Sequence, residues 1–71
     1  MIAVAAPIDA DLLRLRHEFL SMPTLTLTVP QAARLLGVRT ACAEELLAAL
    51  TADRLLTRLE SGAYRRAPAV S

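Results

Sequence analysis

Leu27-Thr28-Val29-Pro30-Gln31-Ala32-Ala33-Arg34-Leu35-Leu36-Gly37-Val38, and beyond it Glu45-Leu46-Leu47-Ala48-Ala49-Leu50, carry the start, stop and packing signals of two closely joined helices. Thr28 suits a helix N-cap, Pro30 falls near the first helical position, and Gln31 three residues on completes an approximate capping box. Ala32, Ala33, Leu35 and Leu36 then make a short helix that stops at Gly37, a residue free to take the left-handed conformation of a tight bend. A further helix begins after Thr40, read as a second N-cap, with Glu44 and Glu45 in its early turns. Its inward stripe is Ala43, Leu46, Leu47 and Leu50. Two helices joined this tightly need a small residue where they cross, a glycine at the bend and apolar facing stripes. Ala33, Gly37, Val38, Ala43 and Leu46 meet those needs.

Working outward, Leu12, Leu15 and Phe19 recur at i, i+3 and i+7, with Leu13 and Leu20 widening the stripe. Asp9 and Asp11 stand where an N-cap and a first-turn acid belong. The pattern predicts an amphipathic helix from about Asp9 to Ser21, ended by Pro23. Leu25-Thr26-Leu27-Thr28 alternates apolar and polar residues and suits a brief strand. On the far side, Asp53-Arg54 closes the last helix. Leu55 to Glu60 and Ala63 to Arg66, around a Ser61-Gly62 turn, read as a β-hairpin. The expected organisation is a tail over 1–8, one domain over 9–66 and a loose end over 67–71. The fold class is mainly α with a small β-hairpin.

Composition narrows the function classes. The chain has 71 residues, 55% of them hydrophobic and 3% aromatic, with a formal net charge of +1. That length holds one domain with an aliphatic core, near the size at which domains gain from pairing. So apolar a chain does not read as disordered. Met1 to Ile8, uncharged and interrupted by Pro7, falls far short of the ~18 residues of a membrane span. It also lacks the basic region of a signal peptide. A cytoplasmic protein is the default expectation, with no membrane partner. One cysteine, Cys42, and one histidine, His17, cannot assemble a zinc site, and two glycines 25 residues apart form no phosphate loop. Ser21, Ser61, His17 and Cys42 sit on different elements without a nucleophile–base–orienter pattern. The reading is therefore of a protein that is no enzyme and carries no cofactor.

From about Asp9 to Arg66 the sequence resembles a winged helix-turn-helix domain, three helices plus a wing, of the small bacterial regulator type. The run of Leu47-x-x-Leu50, then Leu55-Leu56-Thr57-Arg58, then Gly62-x-Tyr64-Arg65-Arg66 is similar to the multiple-antibiotic-resistance regulator and DprA C-terminal families. The resemblance implies a regulator that binds double-stranded DNA, with the third helix in the major groove and the hairpin wing on the backbone. On that basis Thr28 and Gln31 are placed at the DNA backbone. Arg39, Thr40, Ala41, Glu44 and Glu45 go towards base edges, and Arg58, Arg65 and Arg66 to phosphates. One departure stands out. Many such domains carry glycine where Arg54 stands, and if that turn needs positive φ, arginine costs on the order of a kilocalorie per mole there.

Plainer readings accompany each of these residues. The outward face of the third helix shows Ala41, Glu44, Glu45, Ala48 and Ala52, and its two glutamates disfavour phosphate although a carboxylate can accept from cytosine. As first-turn acids they would simply complement the helix dipole. Tyr64 fills space under the hairpin, Cys42 is an inert small residue on a helix flank, and His17 is a surface residue. Three or four phosphate contacts per protomer, roughly, are thin against the six to ten or so of tight binders. A useful DNA binder of this size is then a homodimer or one part of a larger complex. The alternative is a protein-interaction or dimerisation module without DNA binding, which near-neutral charge and the acidic third-helix face favour.

Overall fold

The computed structural model describes residues 7–68, and side chains from Ala10 onward. Its elements run α1 (Pro7–Ser21), β1 (Thr26–Leu27), α2 (Val29–Leu36), α3 (Thr40–Ala52), β2 (Leu56–Arg58) and β3 (Tyr64–Arg66). The domain is mainly helical, with three helices and a small antiparallel sheet. Residues 29–52 form two helices and not one rod.

Proline is tolerated in the first turn of a helix, where its missing N–H breaks no bond. Helical backbone accordingly already includes Pro7 and Ile8, so Asp9 lies inside α1 and not at its cap. The rest of the expected tail, residues 1–6, lies outside the described residues, as do residues 69–71 of the expected C-terminal tail. Pro23 biases Met22 away from helical backbone. The chain turns there, the Leu25 N–H donating to the Met22 carbonyl at 2.9 Å, with Pro23 at the second turn position that its ring favours. The core takes up only part of the apolar stripe of α1. Leu15 and Phe19 are fully buried and Leu12 packs against them, but Leu13 is 65% exposed and Leu20 37%.

α2 has the predicted start and stop. The Gln31 N–H donates to Thr28 Oγ1 at 3.3 Å, and the Thr28 N–H donates to Gln31 Oε1 at 2.9 Å. This reciprocal capping box satisfies two end groups of the helix backbone. At the other end Gly37 sits at φ 70, and the N–H groups of Gly37 and Val38 both reach the Ala33 carbonyl. Ala32 and Ala33 are buried, and α2 packs against α3.

α3 is capped by Arg39, not Thr40. Arg39 holds the extended backbone of a cap (φ −72, ψ 155) and makes no side-chain capping bond, while Thr40 is already helical. The Ala43 N–H donating to the Arg39 carbonyl at 3.0 Å fixes that register. The helix ends in a left-handed residue, Arg54, at φ 66. The Leu55 N–H reaches back to the Leu50 carbonyl and the Arg54 N–H to the Thr51 carbonyl, the paired bonds of a Schellman end. Glycine is the usual occupant of that position, so the anticipated conflict at Arg54 is present.

The sheet order is β1-β3-β2, all antiparallel. Ser61-Gly62 belongs to a three-residue loop, Glu60–Gly62: the Gly62 N–H donates to the Leu59 carbonyl, and the Leu59 N–H to the Ala63 carbonyl at 2.7 Å. Gly62 at φ 92 supplies the left-handed residue such a loop requires. One core joins helices and sheet: Leu15 and Phe19 from α1, Ala32, Ala33 and Leu36 from α2, Ala43, Leu46, Leu47 and Leu50 from α3, with Leu56 and Tyr64. Tyr64 thus fills the space under the hairpin as expected. Cys42 is half-buried against the same core.

Candidate nucleic-acid interface

Two surfaces bear the residues expected to touch DNA other than Thr28 and Gln31, which cap α2. The first is α3. Burial of Ala43, Leu46, Leu47 and Leu50 leaves Thr40, Ala41, Glu44, Glu45, Ala48, Ala49 and Ala52 exposed. Arg39 stands exposed at the head of this face. Glu44 and Glu45 are the fifth and sixth residues of the helix, and its first turn contains no acid. A helix dipole acts within its first turn, so the reading of these glutamates as first-turn acids that complement it does not hold. From Thr40 to Asp53 the side chains are three acids, Glu44, Glu45 and Asp53, and no base.

The second surface is the sheet. Residues directly opposite on antiparallel strands share a face, and neighbours along a strand alternate faces. The register pairs Thr26 with Arg65 and Thr57 with Arg65. Thr26, Arg65 and Thr57 therefore form one row across the sheet, with Arg65 exposed at its centre. The register also pairs Arg58 with Tyr64 and Leu56 with Arg66. Tyr64 and Leu56 are buried, so Arg58 and Arg66 belong to the opposite, core-facing side of the pleat, at its two ends. Arg58 still reaches solvent, whereas Arg66 is half-buried. The three hairpin arginines do not converge on one face.

Thr28 and Gln31 already have a structural task. Their side-chain oxygens accept the two capping bonds, and the Gln31 amide nitrogen and the Thr28 hydroxyl hydrogen remain for other partners. His17 lies on the exposed side of α1, its Nε2 3.2 Å from Ser21 Oγ one turn on.

Sequence reasoning missed three features. Ala49 joins the exposed face of α3. The Thr26–Arg65–Thr57 row needs the pairing of β1 with β3, distant in the chain, which no local pattern announces. Beside that row lies an open depression of about 330 Å³, lined by Pro23, Arg65, Arg66, Ala67 and Pro68. Among the described residues no helix is long and apolar enough to cross a membrane. Comparison with protein families, with curated proteins and with solved structures finds no match to this chain.

Proposed function

We propose that this chain is a winged helix-turn-helix domain that binds double-stranded DNA as a transcriptional regulator, with α3 in the major groove and the β2–β3 hairpin as a wing on the backbone. The observation that carries the reading is the helix pair. α2 and α3 meet across a left-handed Gly37 and pack together, α2 buries the small residues Ala32 and Ala33, and one side of α3 is left to solvent. A hairpin completing a three-stranded sheet follows directly. Arg39 at the head of α3 and Arg65 on the outer sheet face are the principal phosphate ligands. Thr40, Ala41, Glu44 and Glu45 face the base edges, where a carboxylate accepts from the cytosine amino group.

Magnitudes follow from this contact set. Each neutralised phosphate adds about 0.9 to the salt slope, so two arginines give a slope near −2 for a protomer and about −4 for a two-fold dimer. Fluorescence anisotropy of a labelled random-sequence duplex across a salt series measures it. Absence of binding at roughly 100 µM protein in low salt, the weak end of non-specific affinity, refutes the proposal.

A second reading, a protein-interaction module without DNA, has one observation of its own. The solvent face of α3 is small and acidic: Ala41, Glu44, Glu45, Ala48, Ala49, Ala52 and Asp53, with no cation among them. Ala48→Arg separates the two. A cation on that face tightens binding to duplex, whereas a long charged side chain on a close-packing face abolishes self-association or partner capture, read by sedimentation.

A further inference from the structure

We propose that the solvent side of α1 docks onto the solvent side of α3 in a second copy of this chain, so that copies associate head to tail. Leu13 and Leu20 are large, apolar and exposed, and neither joins the core. They stand seven residues apart, two turns and about 10.5 Å along one side of the helix. Arg16 and His17 lie exposed between them. Leucines at this spacing form the seam that one helix offers to another. On α3, Ala41 and Ala48 are likewise exposed and seven residues apart, with Glu44 and Glu45 exposed between them. The two patterns complement each other position by position. In the antiparallel register, which helix dipoles favour, Leu13 of one copy meets Ala48 of the next and Leu20 meets Ala41. Arg16 then meets Glu45, and His17 meets Glu44. Large side chains fall on small ones and a cation falls on an anion.

Charge selects this occupant over a symmetric pairing. From Ala10 to Ser21 the exposed residues of α1 include Arg14 and Arg16 and no carboxylate, Asp11 and Glu18 being half-buried. The exposed residues of α3 include Glu44 and Glu45 and no cation. Like faces therefore repel, α1 on α1 and α3 on α3, and unlike faces attract. Leu15 and Phe19 of α1 join Leu46, Leu47 and Leu50 of α3 in one core. The two exposed sides lie away from that core, and each copy offers both. Contact between unlike surfaces is heterologous, so copies add into a chain or a ring. A single helix pair is a small interface, and its association is weak and concentration-dependent. The assembly does not rest on the DNA reading but bears on it. It covers the α3 face proposed to meet base edges, so self-association and duplex binding exclude each other.

Sedimentation velocity of the whole chain, over a concentration series reaching about 1 mM, tests the contact at the weak end of ordinary affinities. The average mass is expected to rise with concentration and to fall back as salt is added. Arg16→Glu and Glu45→Arg each weaken association about tenfold or more, because like charges then meet across the contact. Mixed in equal amounts, the two variants assemble again, since each reversed charge faces the other. Both positions are exposed, and an unchanged unfolding midpoint verifies that the variants fold. A chain that stays monomeric throughout overturns the assembly, as does a mixture no more associated than its separate components. Association weakened by Arg16→Glu but untouched by Glu45→Arg also overturns it, because α3 then takes no part. Duplex binding by a chain that never self-associates sinks the assembly and leaves the DNA reading in place. Assembly with the complementing variants and no duplex binding supports the assembly and removes the DNA reading.

Discussion

Replacing Arg54 by glycine makes this domain more stable, although it deletes a side chain and adds no contact. Arg54 is the one non-glycine residue at positive φ among the described residues, at 66. It terminates α3 through the two backbone bonds of a Schellman end. An L-residue in this region suffers about 1–2 kcal/mol from the approach of Cβ to the carbonyl oxygen. Glycine escapes that cost but enlarges the unfolded ensemble, giving back about 0.4–1 kcal/mol. At mid-range the net gain is about 0.8 kcal/mol. For a domain of this size that corresponds to roughly 3–6 °C in Tm. Urea unfolding followed by circular dichroism measures the free energy, and an unchanged m-value shows that the denatured state has not altered. Arg54→Lys keeps both the charge and the strain and leaves stability unchanged. Arg54→Asn recovers part of the gain, because asparagine tolerates left-handed backbone. A glycine variant less stable than the parent, or a lysine variant stabilised as much as the glycine one, would refute the strain argument.

The mirror experiment is Gly37→Ala. A Cβ built there meets nothing within 4 Å, so the cost is conformational alone, about 1 kcal/mol at φ 70. Equilibrium unfolding of the purified variant checks this, and no loss would contradict a left-handed bend between α2 and α3. Thr28→Ala removes the acceptor of the capping box and costs about 1 kcal/mol, whereas Thr28→Ser is close to neutral, both by urea titration. Phe19→Ala opens a cavity where α1 meets the other helices and costs about 3–5 kcal/mol. Set against roughly 4–11 kcal/mol for a chain of this length, that change removes from about a quarter to all of the stability, read as a large drop in Tm on heating.

Local chemistry made the helices legible. Thr28, Pro30, Gln31 and Gly37 each carry a physical preference that acts within four residues of chain, and the structure uses all of them. The start of α3 shifted by one residue because Thr40 and Arg39 can both precede a helix. Which one takes the extended backbone depends on the length of the turn that follows Gly37. Leu13 and Leu20 widen the apolar stripe of α1 beyond what one small core needs, and both are exposed. The candidate site was harder still. Arg58, Arg65 and Arg66 read as one basic patch along the chain, and only the pairing of β3 with both neighbours reveals that Arg65 faces one way and the others the opposite way. That pairing joins Thr26 to Arg65, residues 39 positions apart, and a two-residue strand gives no sequence signal of its partner. Glu44 and Glu45 lie on the solvent face as expected, but with Arg39 as the cap they are the fifth and sixth residues of the helix and both lie beyond its first turn.

Backbone amide shifts of the whole chain on adding a short random duplex in low salt test the proposed DNA-binding face most directly. Two groups of residues are expected to shift, Arg39 to Glu45 at the head of α3 and Thr26, Thr57 and Arg65 across the sheet, both fading as salt rises. Perturbations confined to α1 around Leu13 and Leu20, or none at all, would contradict it.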